Sequence, residues 1–194
     1  QPERRLTLLQ DDLVFYNNQP VALVVAQSLQ QAHHAAQLVK QRYEPASAKL
    51  DFRAGFPESY PGEHNGEPGD QSWGDVDGEL SKAEVKVDQV YTTPIHHHNA
   101  MEPHATIAQW DGDRLKVHDA TQHISGVREK LAKIFAIPKE NVEVTCLFTG
   151  GGFGSKGQVW SHVVLTALAG RQTKRPVKLV LERPEMFGPV GARP

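Results

Sequence analysis

The segment that most constrains the fold is a glycine-rich stretch, TGGGFGSKG, at residues 149–157. An apolar run with β-branched residues, NVEVTCLF, precedes it, and a helix-like run, QVWSHVVLTALAG, follows it. A glycine-rich turn between a strand and a helix lets backbone N–H groups converge on an anion. The segment therefore predicts a strand, a tight turn and a helix that ends at Gly170, with a ligand site at the turn.

Two nucleotide-binding motifs compete for this turn. A P-loop requires lysine directly after glycine, and Ser155 separates Gly154 from Lys156 here, which excludes that motif. The run GFGSKG at 152–157 matches a dinucleotide fingerprint, with Glu182 as the candidate ribose ligand. This alternative, a Rossmann-like NAD(P)- or FAD-binding domain, requires the strand before Glu182 to lie parallel to and beside the strand at 141–148. A third alternative is a turn without a ligand, in a non-catalytic remnant or interaction module.

The domain organisation follows from a change in composition at residues 55–79. This segment holds six Gly, three Pro and seven acidic residues, with no Lys or Arg. Such a composition cannot bury a core and predicts an exposed linker. The chain is therefore expected to contain one α/β unit at 1–54, a linker at 55–80 and a second α/β unit at 81–194.

Hydrophobic periodicity predicts the elements of both units. In the first unit we expect a buried strand at 20–27, a helix that begins after a capping box at Ser28, and a return strand at 48–52. In the second unit we expect strands at 83–93, 105–110, 114–120, 141–148 and 176–182 and helices at 123–136 and 158–170. The sequence DGD at 111–113 predicts a hairpin turn.

Charge and cysteine content limit the partners and the compartment. The net charge is −2, so neither nucleic acid nor an anionic membrane is expected as a partner. The apolar runs are too short to span a bilayer, and the first residues lack the apolar stretch of a signal peptide. A single cysteine, Cys146, excludes an internal disulfide and favours a reducing compartment. A cytoplasmic location is expected, with the periplasm as the alternative.

A histidine-rich segment, HHHNAMEPHA, is a second candidate site. A metal could use His96, His97, His98, Glu102 and His104. Pro94 and Pro103 oppose a regular helix, and a strand would point neighbouring histidines to opposite faces. The segment therefore favours hydrogen-bonded histidines over direct metal ligation.

Two further side chains are candidates because of their position. Gln122 lies between a predicted strand and a predicted helix, where its carboxamide can donate and accept at once. It could contact a ligand there, but the local sequence alone favours simple exposure of Gln122 to solvent. Cys146 lies within the predicted strand among apolar residues, which favours a buried, inert thiol over a nucleophile.

Four segments, taken in order, resemble the molybdenum-binding part of the xanthine dehydrogenase and aldehyde oxidase family. They lie at 11–44, 96–110, 117–144 and 150–187 and cover nearly all of the chain except the acidic segment. The resemblance implies an α+β or α/β fold. It consists of part of a hammerhead α/β domain followed by the first α/β part of a molybdopterin-binding domain.

The resemblance also implies which residues form the site. The implied cofactor-binding residues are Gln122, Gly151, Gly152, Phe153 and Gly154. The implied substrate pocket contains Phe153, Gly157 and Glu102. Purine-hydroxylating members of the family carry a glutamate directly after the lysine of this loop. Because Gly157 occupies that position here, the resemblance favours an aldehyde-oxidising enzyme.

The activity implied by the resemblance is a molybdenum-dependent hydroxylation with water as the oxygen source. The cofactor would be molybdenum–molybdopterin, with the cytosine dinucleotide as one form. Electrons would pass to iron–sulfur centres and FAD on partner subunits or domains. The family's general-base glutamate lies far downstream of these segments. The chain is therefore expected to hold no catalytic residue and no direct metal ligand, and to be inactive alone.

Overall fold

The computed structural model describes residues 8–48, 50–64 and 67–191. These residues form two units. One unit combines the residues up to Val39 with those from Thr93 onward, and the other runs from Lys40 to Thr92. In chain order the elements are α1 (Leu29–Gln37), β1 (Glu63–His64), β2 (Glu67–Pro68), α2 (Val76–Lys82), β3 (Ala105–Asp111), β4 (Arg114–Asp119), α3 (Ile124–Phe135), β5 (Val142–Thr145), α4 (Ser161–Thr173) and β6 (Val177–Val180).

The larger unit is built on a four-stranded sheet with the order β5-β4-β3-β6. The pair β3–β4 is an antiparallel hairpin whose turn contains Gly112 at φ +56°, as the DGD sequence predicted. The strands β4 and β5 are parallel and are joined through α3, while β6 pairs antiparallel with β3. The mixed α/β fold class predicted from the sequence is therefore confirmed.

The core lies between one face of this sheet and the helices α3 and α4. Along β4, Leu115 and Val117 are buried while the intervening residues are exposed, which is the alternation of a sheet covered on one side. Both helices contribute to the same cluster. It comprises Ala108, Leu115, Val117, Val127, Leu131, Ala132, Val142, Val163 and Ala167.

The topology overturns the dinucleotide alternative. That alternative needs the strand before Glu182 to lie parallel to and beside β5. Instead β6 lies at the opposite edge of the sheet and pairs antiparallel with β3. Glu182 therefore cannot act as the ribose ligand of a Rossmann turn formed at 152–157.

The helix after the glycine-rich loop differs from the prediction at its end. It continues to Thr173 and ends at Lys174, which has φ +54°. Gly170 is buried inside the helix, where an added Cβ would lie 3.2 Å from Ala108 O and 3.4 Å from Trp110 Cδ1. Glycine at this position therefore permits close packing of α4 on β3 and is not a helix cap.

Three predicted strands are absent from the described residues. Residues 20–27 and 83–93 are irregular and largely exposed, and so are the described residues of 48–52, residue 49 of which lies outside the described part. A strand exists only through pairing with a neighbour, and no described segment pairs with these three. Apolar alternation without such a partner does not produce a strand. By contrast, Ser28 caps α1 as expected, accepting from Gln31 N at 3.3 Å.

The smaller unit contains the acidic segment. Its described residues form the two-stranded ribbon β1–β2 and the helix α2, and none of residues 40–48, 50–62 and 67–92 is buried. Asp75 caps α2 by accepting from Gly78 N at 3.0 Å, so the segment holds a short helix where a linker was expected. Among the described residues of both units, no helix is long and apolar enough to cross a bilayer.

Candidate functional site

The candidate site lies at the edge of the sheet where β4 and β5 both end. Residues 120–123 join β4 to α3, and residues 146–160 join β5 to α4. The carboxyl ends of parallel strands meet at one edge, the usual ligand position in open sheets. The two loops are bonded there: Gln122 N donates to Lys156 O at 2.8 Å, and Thr149 Oγ1 donates to Thr121 O at 3.3 Å.

The glycine-rich loop has an unusual backbone. Gly151, Phe153 and Gly154 have φ values of +89°, +55° and +102°. The left-handed conformation costs Phe153 roughly 1–2 kcal/mol, because it is not a glycine. Two turn bonds within the loop offset that cost, from Ser155 N to Gly152 O and from Gly157 N to Gly154 O. The Phe153 side chain lies at the surface of the loop and is 62% exposed.

Gln122 organises the loop from the β4 side. Its Oε1 accepts from Gly154 N at 3.1 Å and from Lys156 N at 3.3 Å. A Cβ on Gly152 would collide with this carboxamide, so the position requires glycine. Because Oε1 faces two donors, the orientation of the carboxamide is fixed.

Several N–H donors remain without an acceptor among the described residues. They are the carboxamide NH₂ of Gln122 and the backbone N–H groups of Gly151, Gly152 and Phe153. Alternating backbone handedness makes successive N–H groups converge, which is the geometry of an anion-binding nest. The loop can therefore bind a group that presents several acceptor oxygens.

Glu102 organises the loop from the other side. Its Oε2 accepts from Gly150 N at 2.7 Å and from Lys156 Nζ at 2.6 Å, and its backbone O accepts from Lys156 Nζ at 3.0 Å. Burial alone would raise the pKa of Glu102. The hydrogen bonds from Lys156 and Gly150 outweigh it, so the pKa lies below its usual value. A side chain on Gly150 would collide with Glu102, which accounts for this glycine as well.

Two buried histidines lie under the loop. His104 Nε2 contacts Ser155 O at 3.2 Å, and the His104 and His162 rings pack edge to face with centroids 5.4 Å apart. Burial, followed by the nearby Lys156 charge among smaller effects, lowers the pKa of His104 to about 4. Burial, followed by the neighbouring His104, lowers the pKa of His162 to about 3. Both rings are therefore neutral at pH 7.

A buried carboxyl ends β4 directly before the site. Asp119 is 6% exposed and accepts from Thr106 Oγ1 at 2.5 Å. Burial raises the pKa of Asp119 to about 6, although the Thr106 hydrogen bond and the Lys156 charge both act against this rise. The carboxyl thus titrates near neutral pH beside the loop.

Sequence reasoning missed two cations that hold the site together. Lys156 is buried, with its side chain 0% exposed, and it bonds Glu102. Arg183, after β6, donates to Ala100 O at 2.5 Å and Met101 O at 2.7 Å, which fixes the segment before Glu102. The available signal was weak, since lysine and arginine in loops are usually exposed.

An open cleft of about 800 Å³ adjoins the loop. Its walls come from the loop before α3 and the first turns of α3, the 3₁₀ helix Lys139–Asn141 that precedes β5, and the loop after β5. They comprise Thr121, Gln122, His123, Ile124, Ser125, Arg128, Lys139, Cys146 and Thr149. The prediction of a buried Cys146 within a strand is wrong, because β5 ends at Thr145. The half-buried thiol lies in the cleft wall, 3.2 Å from Thr149 Oγ1.

The structure brings most of the predicted site residues together. Gln122 contacts the loop at Gly152 and Gly154, and Glu102 contacts it at Gly150. Gly157 follows the buried lysine, has an ordinary φ, and is half-buried. A Cβ there would lie 3.3 Å from Gly154 O, so a side chain would need only a small local shift.

The histidine-rich segment forms no shared ligand set. His97 packs edge to face on Phe187, whereas His104 lies under the loop with His162. Within the described ranges, no group of three His, Cys, Asp or Glu residues could hold a metal ion.

Comparison with known proteins yields one family throughout. The family model described as a molybdopterin cofactor-binding domain matches residues 58–194. The aldehyde oxidoreductase molybdenum-binding subunit PaoC of Escherichia coli is 41% identical over 193 residues, covering 96% of this chain and 25% of that protein. The xanthine dehydrogenase molybdenum-binding subunit of Escherichia coli is 31% identical over 179 residues, covering 90% and 24%. The chain spans about a quarter of these relatives' length.

Solved structures give the same result at the level of the fold. Quinoline 2-oxidoreductase from Pseudomonas putida 86 matches with a TM-score of 0.69 and 26% identity, over 84% of this chain and 22% of that one. A reconstituted CO dehydrogenase from Oligotropha carboxidovorans matches with a TM-score of 0.70 and 25% identity, over 84% and 23%.

Proposed function

Because the chain belongs to the molybdopterin cofactor-binding domain family, we propose that it forms the cofactor-facing part of a molybdenum-dependent hydroxylase that oxidises aldehydes. One observation carries the proposal. Gln122 Oε1 is held by two loop N–H groups, while its NH₂ and the N–H groups of Gly151, Gly152 and Phe153 have no acceptor among the described residues.

This donor set fits the implied cofactor. Molybdopterin is anionic and presents acceptor oxygens, and convergent backbone N–H groups are suited to bind such groups. When bound, the cofactor supplies the molybdenum centre that takes up the substrate's electrons. The chain's own contribution is to bind and orient the cofactor. The residues that do so in this proposal are Gln122, Gly151, Gly152, Phe153 and Gly154.

The substrate side is assigned to three residues around the loop. The exposed ring of Phe153 offers an apolar wall, and Gly157 leaves space without a carboxylate. Glu102 Oε2 is engaged by Lys156, and its side chain is 37% exposed, so its other oxygen can face the pocket. An aldehyde fits this set better than a purine, and PaoC, at 41% identity, is an aldehyde oxidoreductase subunit.

The finer assignments are part of the same proposal. The pterin is taken to be molybdopterin or its cytosine dinucleotide form, and the compartment to be the cytoplasm. Electrons leave through iron–sulfur and FAD partners, since one cysteine cannot ligate an iron–sulfur cluster. Relatives whose names describe them as subunits support the existence of partner subunits. The 194 residues alone are expected not to oxidise aldehydes.

The test compares aldehyde and purine oxidation by the complete gene product, isolated with its partner subunits. An aromatic aldehyde and hypoxanthine serve as substrates, with a dye as electron acceptor. Gln122→Ala should lower the aldehyde kcat/KM by about ten-fold or more, because hydrogen bonds to charged groups contribute roughly 1.5–3 kcal/mol each. Gln109→Ala, on the exposed face of β3, is the control. Faster oxidation of hypoxanthine than of the aldehyde, or equal losses in both variants, would refute the proposal.

A further inference from the structure

Lys156 joins three separate segments of the site. Its Nζ bonds the carboxylate and the backbone O of Glu102. Its backbone N donates to Gln122 Oε1, while its backbone O accepts from Gln122 N and from Thr121 Oγ1. One residue therefore connects the β4–α3 loop, the glycine-rich loop and the segment that Arg183 holds.

The ion pair is coupled to the position of the loop. A buried ammonium without a partner is strongly destabilising, so Lys156 can stay buried only while the loop lies within reach of Glu102. An apolar side chain of similar length would fill the same space without needing a partner. Compared with apolar packing, the ion pair also sets a defined distance between Gly150 and the segment at Glu102. The same two residues form a backbone hydrogen bond, from Glu102 N to Gly150 O at 3.1 Å.

We propose that Lys156 and Glu102 are positioning residues whose ion pair holds the glycine-rich loop in the conformation that presents its free N–H groups to the cofactor. The inference rests on the proposed function, since it assigns the pair to cofactor binding. Gln122 fixes one side of the loop through Gly154, and Glu102 fixes the other through Gly150. The donors that remain free, at Gly151, Gly152 and Phe153, lie between these two anchors.

The experiment removes the pair without leaving a lone charge. In the double variant Lys156→Met/Glu102→Gln, Met is one atom shorter than Lys and apolar, Gln matches Glu in length, and Gln can still accept from Gly150 N. The matched control is Lys116→Met/Glu143→Gln, an exposed pair at 3.7 Å between β4 and β5. Lys156→Met alone is the milder variant, because the Glu102 carboxylate that it leaves behind is 37% exposed and can be solvated. Hydrogen exchange of the peptide 148–157 and molybdenum content are measured on the complete gene product in its native complex.

The double variant should exchange the loop amides of 150–156 about ten-fold faster than the wild type, while amides of β3, β4 and α4 keep their rates. Its molybdenum content should fall by about ten-fold, since misplaced donors weaken binding of the anion. The control variant should match the wild type in both measurements. Lys156→Met alone, which keeps the bond from Gly150 N to Glu102 Oε2, should give an intermediate acceleration confined to the loop.

Two results would overturn the inference. Unchanged loop exchange in the double variant would show that the pair does not set the loop. A uniform acceleration across the sheet and helices, or failure of the double variant to fold together with a uniform acceleration in Lys156→Met, would show a general stabilising role. Failure of the proposed function can be distinguished from failure of this inference, because it would appear as a wild type that lacks molybdenum and pterin.

Discussion

At the scale of single residues, the sequence predicts the kind of polar group in this site better than its burial and its partners. The glycines were candidates because flexible backbone positions have few other uses at a strand-to-helix turn. Gln122 was singled out only through the family resemblance, because its local sequence favours simple exposure to solvent. Lys156 was not, because burial of a lysine depends on a carboxylate 54 positions away. Glu102 closely approaches Gly150, and Gln122 closely approaches Gly152. No local sequence pattern encodes either contact.

The raised pKa of Asp119 predicts that the free energy of unfolding falls as the pH rises through the acid range. Its pKa is raised from 3.8 to about 6 by burial. Between these values the unfolded chain releases the proton first, so ionisation favours unfolding by an amount on the order of 2–3 kcal/mol above pH 6. Asp119→Asn should remove this contribution. Urea unfolding at pH 4 and pH 7 should show a gain for the variant, relative to the wild type, at pH 7 only. An equal difference at both pH values would contradict the assignment.

The lowered pKa of His162 predicts the opposite dependence, in which the free energy of unfolding falls as the pH falls. Its pKa is lowered from 6.5 to about 3, chiefly by burial. The unfolded chain gains a proton first as pH falls below 6.5, so stability is fully present above pH 6.5 and is lost toward pH 3. His162→Leu, of similar volume, should flatten the decline in the free energy of unfolding between pH 6.5 and pH 4. His33→Leu, an exposed histidine on α1, should leave the decline unchanged. A decline in His162→Leu as steep as the wild type's would refute this origin.

At the scale of elements, predictions held where strands find partners close in sequence. The hairpin β3–β4 and the unit β4–α3–β5 were both expected, and both form. The continuous apolar run at 20–27 and the alternating segment at 83–93 have no paired neighbour among the described residues. Along α3, Val127 and Leu131 are buried, yet the apolar residues Ile124 and Ile134, at helical spacing from them, are about half exposed. Periodicity indicates which residues share a face, whereas packing decides how much of that face is covered.

Two helical glycines should respond differently to alanine. At Gly170 an added Cβ meets the backbone O of Ala108 at 3.2 Å, and a central strand cannot move aside easily. At Gly126 it meets only the exposed His123 ring, which can rotate away. Gly126→Ala should raise the free energy of unfolding by roughly 0.5–1 kcal/mol, whereas Gly170→Ala should lower it by roughly 1 kcal/mol or more. Thermal melts of the two variants compare them directly. A gain at Gly170 would contradict the packing of α4 on β3.

At the scale of the whole molecule, the 194 residues leave many large apolar side chains exposed. Near the site these include Met101 at 86%, Phe148 at 86% and Leu147 at 77%. Composition could not reveal this, since 39% hydrophobic content is ordinary for a globular chain. In the smaller unit, residues 40–48, 50–62 and 67–92 likewise bury no side chain.

This exposure predicts self-association of the isolated 194-residue chain. Contiguous apolar surface drives association unless another surface covers it. Sedimentation velocity over a range of concentrations should show the mean mass rising with concentration. Phe148→Ser with Leu147→Ser should reduce that rise, while Lys116→Ser should not. A monomer at all concentrations would contradict the prediction.

The central claim, that the loop and Gln122 bind molybdopterin, is tested most directly by the metal and pterin content of the purified protein. Elemental analysis and pterin fluorescence after oxidation should give about one molybdenum and one pterin per chain in the complete gene product. Gln122→Ala should lower both by about ten-fold, since it removes the acceptor for Gly154 N and Lys156 N as well as a cofactor donor. A correctly assembled wild type without molybdenum and pterin, or a Gln122→Ala variant that retains both in full, would contradict the claim.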